Sequence, residues 1–157
     1  MNDTVIGVGP ARLKSAETLG LRDGVTWLAV GDAPSAAQAM LRLRGWPGRV
    51  LAVVAAESVP DGLTGWARAC AAQARYVLLF GPHAPRLAQA LVRAGGVGIV
   101  RCADVADAVQ AAGRLAQPGD AVALTPLGQA DVEDAIRFRA CAAHWVVGAG
   151  GSAWVAA

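Results

Sequence analysis

Five short apolar runs, at residues 25–30, 50–56, 76–80, 97–100 and 121–125, recur along the chain at near-even spacing, and each is continuously apolar. A strand with one face in water alternates in polarity. A strand covered on both faces reads as an unbroken apolar run, which is how parallel sheets flanked by helices are written. Between the runs the periodicity changes to that of helices. Over 104–116, Val105, Ala108, Val109, Ala112 and Leu115 form one apolar stripe, with Asp104 placed to cap the N-terminus and Asp107 three residues on. Over 84–94, Pro85 stands in the first turn, Leu87, Leu91 and Val92 are expected to face inward, and Gly95-Gly96 ends the helix. Further helices are expected at 34–44, 63–74 and 131–146. Strand and helix alternating in this way predict an α/β fold: a three-layer, Rossmann-like sandwich around a mostly parallel sheet of five or six strands.

The segments 44–49 and 116–120 read as turns on their Gly and Pro residues. Residues 1–23 fit neither pattern and are expected to be an arm, a linker stub or an edge strand. Residues 24–147 form the α/β domain, and the Gly-rich residues 148–157 a flexible tail. With 157 residues, 55% of them hydrophobic and 17% charged, the chain suffices for one well-buried core and is short for two. Fourteen basic residues against twelve acidic ones give a net charge of +2, with no basic run longer than a pair, so no nucleic-acid footprint is present. No apolar stretch approaches the roughly 18 residues of a membrane span, and the first sixteen residues lack a signal-peptide core, so a cytoplasmic protein is expected. Cys70, Cys102 and Cys141 are odd in number and far apart, which suits buried thiols better than a disulfide framework or a zinc site.

Candidate chemistry is sparse. Gly148 to Ala153 matches the dinucleotide fingerprint G-x-G-x-x-G/A, but only four residues follow, too few for the helix that must receive the pyrophosphate. Ile6 to Pro10 is a weaker echo and reads as a loop. A Walker loop needs Gly-Lys-Ser/Thr, and the one Lys-Ser pair, Lys14-Ser15, follows Leu13. Cys141 and His144, at i and i+3 on an expected helix, lack the third protein ligand of a catalytic zinc, so no metal site is expected. His83 follows an expected strand at the end where parallel sheets bind ligands, without a predictable nucleophile or carboxylate beside it. Thr125 to Gln129 joins a strand's C-terminal end to a helix N-terminus and is the best binding-loop candidate, although Asp131, Glu133 and Asp134 are placed to cap that helix themselves. Trp46 and Trp154, in expected loop and tail, are possible contact anchors.

The stretch from Gln117 to Arg139, Q-P-G-D-A-V-A-L-T-P-L-G-Q-A-D-V-E-D-A-I-R-F-R, resembles the C-terminal domain of Mur ligases, most closely the D-glutamate-adding ligases, where it typically reads P-G-D-x-V-L-L-S-P-A-C-A-S-x-D-x-F. The likeness extends over most of residues 9–145. In that family the domain is Rossmann-like, closes over a central ATPase domain and contacts the incoming amino acid and the nucleotide. Gly9-Pro10-Ala11-Arg12 is similar to a linker motif ending in P-H-R, which implies that Arg12 contacts ATP. Thr125 and Gln129 are expected as substrate contacts on the position of their loop alone, not on the resemblance.

Other ligand positions depart from the family pattern. The family's D-S-K-x-T-N falls on Gly31-Asp32-Ala33-Pro34-Ser35, its carboxylate-binding Lys on Val59, its D-glutamate-binding Ser on Ala130, and its downstream aromatic near Arg137, beside Phe138. A hydrogen bond to a charged ligand group is worth roughly 1.5–3 kcal/mol, so losing two or three weakens recognition by orders of magnitude. The resemblance therefore implies a Mur-type ligase domain that is not catalytic on its own, binding no cofactor alone and meeting ATP and Mg only through a partner ATPase domain. The alternative is a scaffold or partner-binding module that kept the fold and lost the ligase site.

Overall fold

The computed structural model describes residues 16–31, 33–127 and 132–148. The expected strands form as β2 (Val25–Val30), β3 (Val50–Ala55), β4 (Tyr76–Phe80), β5 (Gly98–Arg101) and β6 (Ala121–Leu124), preceded by β1 (Ala16–Arg22). The helices are α1 (Ala36–Leu41), α2 (Leu63–Gln73), α3 (Ala84–Ala94), α4 (Val105–Leu115) and α5 (Val132–Gly148). Local chemistry sets their ends. The Ser35 side chain accepts from the Gln38 amide at 3.1 Å and starts α1, and Asp104 accepts from the Asp107 amide at 2.9 Å and starts α4. Asp107 reaches back to the Ala103 amide at 2.8 Å, so the two carboxylates close the turn reciprocally.

The sheet runs β1-β2-β6-β3-β4-β5, parallel except for β1, which pairs antiparallel with β2. Leu28, Ala123, Ala52 and Val77 lie abreast on four neighbouring strands and bury against α1, α2 and α3. One residue earlier, Trp27, Val122 and Leu51 lie abreast and face α4 and α5. Each central strand thus buries both faces, and the three-layer sandwich expected from continuous apolar runs is what forms.

Two details differ from the expectation. Val92 is exposed, because the buried stripe of α3 runs through Ala84, Leu87, Ala90 and Leu91 and the next residue turns out to solvent. Residues 16–22, placed ahead of the domain as arm, stub or edge strand, take the last of these forms, so the sheet begins before residue 24. Asp23 and Gly24, with φ of 53° and 78°, make the two-residue turn that folds β1 back on β2.

At the amino-terminal end of the strands, Pro118-Gly119-Asp120 forms a tight turn. Gly119 has φ of 94°, a conformation costly for other residues. Buried Asp120 takes both Arg49 Nε and Nη2, at 3.1 and 2.7 Å, and accepts from the Gln117 amide at 2.8 Å. The hydrogen bond to Asp120 raises the Arg49 pKa above its ordinary value. Trp46, half-buried rather than a free anchor, donates Nε1 to the Gly119 carbonyl at 3.0 Å.

On the opposite face α5 packs over β1 and α4. Trp27 lies fully buried, its ring centroid 6.3 Å from that of Phe138 and 6.5 Å from that of Trp145. Arg22 stacks 4.6 Å over Trp145 and donates to its carbonyl at 2.8 Å. Gly113 of α4 leaves the room that the Trp145 ring fills, since a Cβ there would overlap the indole. Gly113→Val is therefore expected to cost about 1–3 kcal/mol by overpacking, even though glycine is a poor helix former. Urea denaturation would measure it, with a lower midpoint and an unchanged m-value.

Candidate functional site

The carboxyl ends of β2, β6 and β3 open into a cleft of about 310 Å³, lined by residues that follow each strand and by one face of α5. Open parallel sheets bind ligands at this end, where strand termini leave backbone groups unpaired and loops are free to vary. Ala29, Val30 and Gly31 come from β2 and its exit, Ala55, Glu57 and Ser58 from β3, Leu124 to Leu127 from β6, and Asp134, Ala135 and Arg139 from α5.

Thr125, one of the expected site residues, lines this cleft. Its amide donates to the Val53 carbonyl at 3.0 Å, extending the β6–β3 ladder by one residue and fixing the residue beside the cleft. The residue is 2% exposed, and its Oγ1 has no hydrogen-bond partner among the described residues. A buried hydroxyl without a partner costs roughly 1–3 kcal/mol, so Thr125 carries an unmet polar atom inside the wall of the cleft, closed to solvent. Glu57 and Arg139 also line this space and went unnoticed in the sequence. Glu57 had one readable signal, its position just past a strand's carboxyl end. Arg139 had none, because its cleft position depends on how α5 packs.

Arg139 Nη2 meets Glu17 Oε1 of β1 at 2.6 Å, joining the two ends of the described chain beside the cleft. The hydrogen bond holds the Glu17 carboxyl below its usual range and raises the guanidinium in turn. A carboxyl whose folded pKa is depressed adds stability above its unfolded value, and that stability is lost as pH falls through the folded value. Both groups are well exposed, so the effect is small and screened by salt. Calorimetry at low salt should find Glu17→Gln slightly less stable than the parent near neutrality, and equal to it well below about pH 4.

Among the described residues, most other positions singled out in the sequence do not converge on this cleft. Arg12, Gln129, Ala130 and Asp131 lie outside the described residues, as do Asp32, the glycine-rich echo at 6–10, and the tail beyond Gly148 with Trp154. Val59 packs against the α1–α3 core layer and is not part of the cleft lining. Phe138 is fully buried beside Trp27, and Arg137 pairs with Glu133 on the exposed face of α5. His83 is exposed, its amide bonded to the Ala56 carbonyl at 2.9 Å and the residue capping α3 without a side-chain bond. Cys141 and His144 line a separate depression with Trp145 and Gln110, and among the described residues no three His, Cys, Asp or Glu cluster as a metal would need. Burial pushes the Cys70 thiol up. Burial and the carboxylates of Asp107 and Asp104 push Cys102 up to about 11, which leaves it almost wholly protonated at neutrality.

The family described as Mur ligase, glutamate ligase domain, matches residues 16–128, well over half of the chain. The chain belongs to this family. As a Mur ligase domain it is 33% identical over 111 residues to a UDP-N-acetylmuramoylalanine–D-glutamate ligase of Symbiobacterium thermophilum, covering 70% of this chain and 24% of that protein. A ligase of the same name from Burkholderia thailandensis is 33% identical over 117 residues, covering 74% and 22%. This Mur ligase domain thus spans about a quarter of the curated relatives it matches. Among solved structures, a domain assigned to a UDP-N-acetylmuramate:L-alanyl-γ-D-glutamyl-diaminopimelate ligase of Haemophilus ducreyi superposes with a TM-score of 0.56 at 18% identity, over 80% of this chain and 98% of that one. The murein peptide ligase of Psychrobacter arcticus gives 0.60 at 14%, over 81% and 29%. Both support the Rossmann-like α/β fold. Among the described residues no helix is long and apolar enough to cross a membrane.

Proposed function

We propose that this Mur ligase domain is one lobe of an ATP-dependent, amide-forming ligase of peptidoglycan-precursor synthesis, of the D-glutamate ligase type by descent, acting in the cytoplasm. The observation that carries this reading is the cleft at the ends of β2, β6 and β3, with Thr125 in its wall, in a chain similar over most of its length to D-glutamate ligases. Such a wall positions one reactant, and positioning contributes most when the other reactant is held opposite it. The rest of the site, with ATP and Mg, then stands in a separate ATPase domain, and the domain is not catalytic alone. Arg12 is its nucleotide contact, Thr125 and Gln129 its substrate contacts. In ligation the substrate carboxylate is phosphorylated by ATP, the amine displaces phosphate, and an amide, ADP and phosphate result.

The alternative, a partner-binding module without ligase function, draws on Val59, a half-buried side chain packed against the core where the family resemblance implies a ligand-binding Lys. Phosphate release separates the two readings. The chain with ATP, Mg and UDP-N-acetylmuramoyl-L-alanine is expected to release none with any amino acid, and to support amino-acid-dependent release once a Mur-type ATPase domain is added. Turnover by the chain alone overturns the non-catalytic assignment. A silent mixture, with the ATPase domain shown to be competent beside its own C-terminal lobe, favours the module.

A further inference from the structure

Residues 62–101, which supply α2, β4, α3 and β5, contain five arginines and no acidic residue. The net charge of +2 conceals this, because carboxylates are concentrated elsewhere, with Asp104, Asp107, Glu133 and Asp134 on or beside α4 and α5. α2 and α3 pack side by side, and the charged residues exposed on them are Arg68, Arg86 and Arg93. Among the described residues none of the three has an ion-pair partner. Arg75, directly after α2, is also exposed and stacks 5.0 Å over the Tyr76 ring. The needs of the helices explain only part of this. Arg93, in the last turn of α3, offsets the partial negative charge of the helix carboxyl end. Arg86 stands in the first turn of the same helix, where the dipole opposes a cation, and Arg68 stands mid-way along α2, where the dipole gives it nothing. Val92 is 69% exposed and shares the outward arc of α3 with Arg86, Gln89 and Arg93, three or four residues apart.

From this surface we infer that the outer face of α2 and α3 docks on an anionic lipid bilayer, with Arg68, Arg86 and Arg93 against headgroup phosphates and Val92 at the boundary with the acyl chains. Guanidinium groups match phosphate oxygens in geometry as well as charge, and a negatively charged leaflet attracts every cation brought within a Debye length. A bilayer surface receives cations and an exposed apolar side chain together. A nucleic-acid backbone would satisfy the arginines and leave Val92 in water. The cleft is lined by strand exits and α5 and contains no residue of α2 or α3, so the two surfaces are separate and the inference stands apart from the ligase reading.

The test is co-sedimentation of the full chain with two kinds of vesicle at low ionic strength, phosphatidylcholine alone and an equal mixture of phosphatidylcholine and phosphatidylglycerol. The anionic vesicles are expected to bind it on the order of a hundredfold more tightly, from roughly fivefold for each arginine at the surface. About 1 M salt, where the Debye length is about 3 Å, should abolish the difference. Arg86→Gln should weaken binding about fivefold, whereas Arg114→Gln, which removes the same charge from the exposed side of α4, should leave it unchanged. Both positions are exposed, so Tm should stay at the parent value, or rise slightly for Arg86→Gln as the helix dipole is relieved. Equal weakening by the two variants means that binding follows net charge rather than this face, and it overturns the inference. So does equal binding to neutral and anionic vesicles, or sedimentation with neither. Val92→Ser should weaken vesicle binding severalfold. No change there removes the contact that favours lipid, and tighter binding of duplex DNA than of anionic vesicles at the same salt assigns the face to a nucleic acid; either result sinks the proposal.

Discussion

Replacing Trp27 with alanine should destabilise the domain by about 3–5 kcal/mol, the usual cost of emptying a large aromatic site in a packed core. Trp27 is fully buried in the row with Val122 and Leu51, and it is the floor on which Phe138 and Trp145 of α5 rest. Its indole N–H has no partner among the described residues, so the ring contributes through shape and aromatic contact alone. Trp27→Phe, which removes that unmet donor with part of the volume, should therefore cost much less than Trp27→Ala. Hydrogen exchange provides a second readout: in Trp27→Ala the amides of α5 should lose protection before those of β3 and β4, whose packing on α1–α3 is independent of this ring. Uniform loss of protection across both layers would contradict a separable α5.

The second large effect is expected from Arg49→Met, about 2–4 kcal/mol. Breaking a fully buried ion pair costs roughly 3–5 kcal/mol, and the lower figure reflects an Arg49 side chain that is 34% exposed. The asymmetry of the pair makes the prediction sharp. Without Arg49, Asp120 keeps a carboxylate 4% exposed and one hydrogen bond, from the Gln117 amide. Without Asp120, Arg49 can turn to solvent. Asp120→Ala should accordingly be milder, about 1–3 kcal/mol, most of it from the orphaned Gln117 amide. Chemical denaturation of both variants checks the order, and an equal or reversed ranking would show that the carboxylate finds other partners.

Most of the fold was legible because parallel strands buried on both faces leave a signature that solvent-facing strands do not. β2 to β6 appeared as unbroken apolar runs, with ends displaced by at most a residue. β1 was less legible for the complementary reason: it is an edge strand with mixed exposure and no apolar run, and its weight is carried by contacts with β2 and α5. A stronger local signal was overlooked. Asp23-Gly24 is a preferred two-residue hairpin dipeptide, and both residues here take positive φ. Val92 was misplaced because one residue of helical phase, about 100°, separates the inner face of α3 from water.

The site was legible only where backbone topology alone decides position. Thr125 follows a parallel strand's carboxyl end, so its place at the cleft follows from the fold class. Arg139 and Glu17 come from opposite ends of the described chain, and nothing in their spacing announces a salt bridge. Pro118-Gly119-Asp120, the clearest shared motif, sits at the far end of β6 from Thr125. It holds Arg49 and Trp46 in place rather than a ligand.

The direction of β1 decides where the described chain enters the domain. Because β1 is antiparallel, its first residue, Ala16, lies opposite Val30 at the cleft end of the sheet, and Ala16 and Glu17 line the depression next to the cleft. A parallel strand in that place would begin at the far end, beside Asp120. The polypeptide therefore enters the domain at the mouth of its own pocket. Under the ligase reading proposed above, an ATPase domain tethered at that point would need little length to reach the cleft, so its local concentration there would be set by the tether rather than by free diffusion.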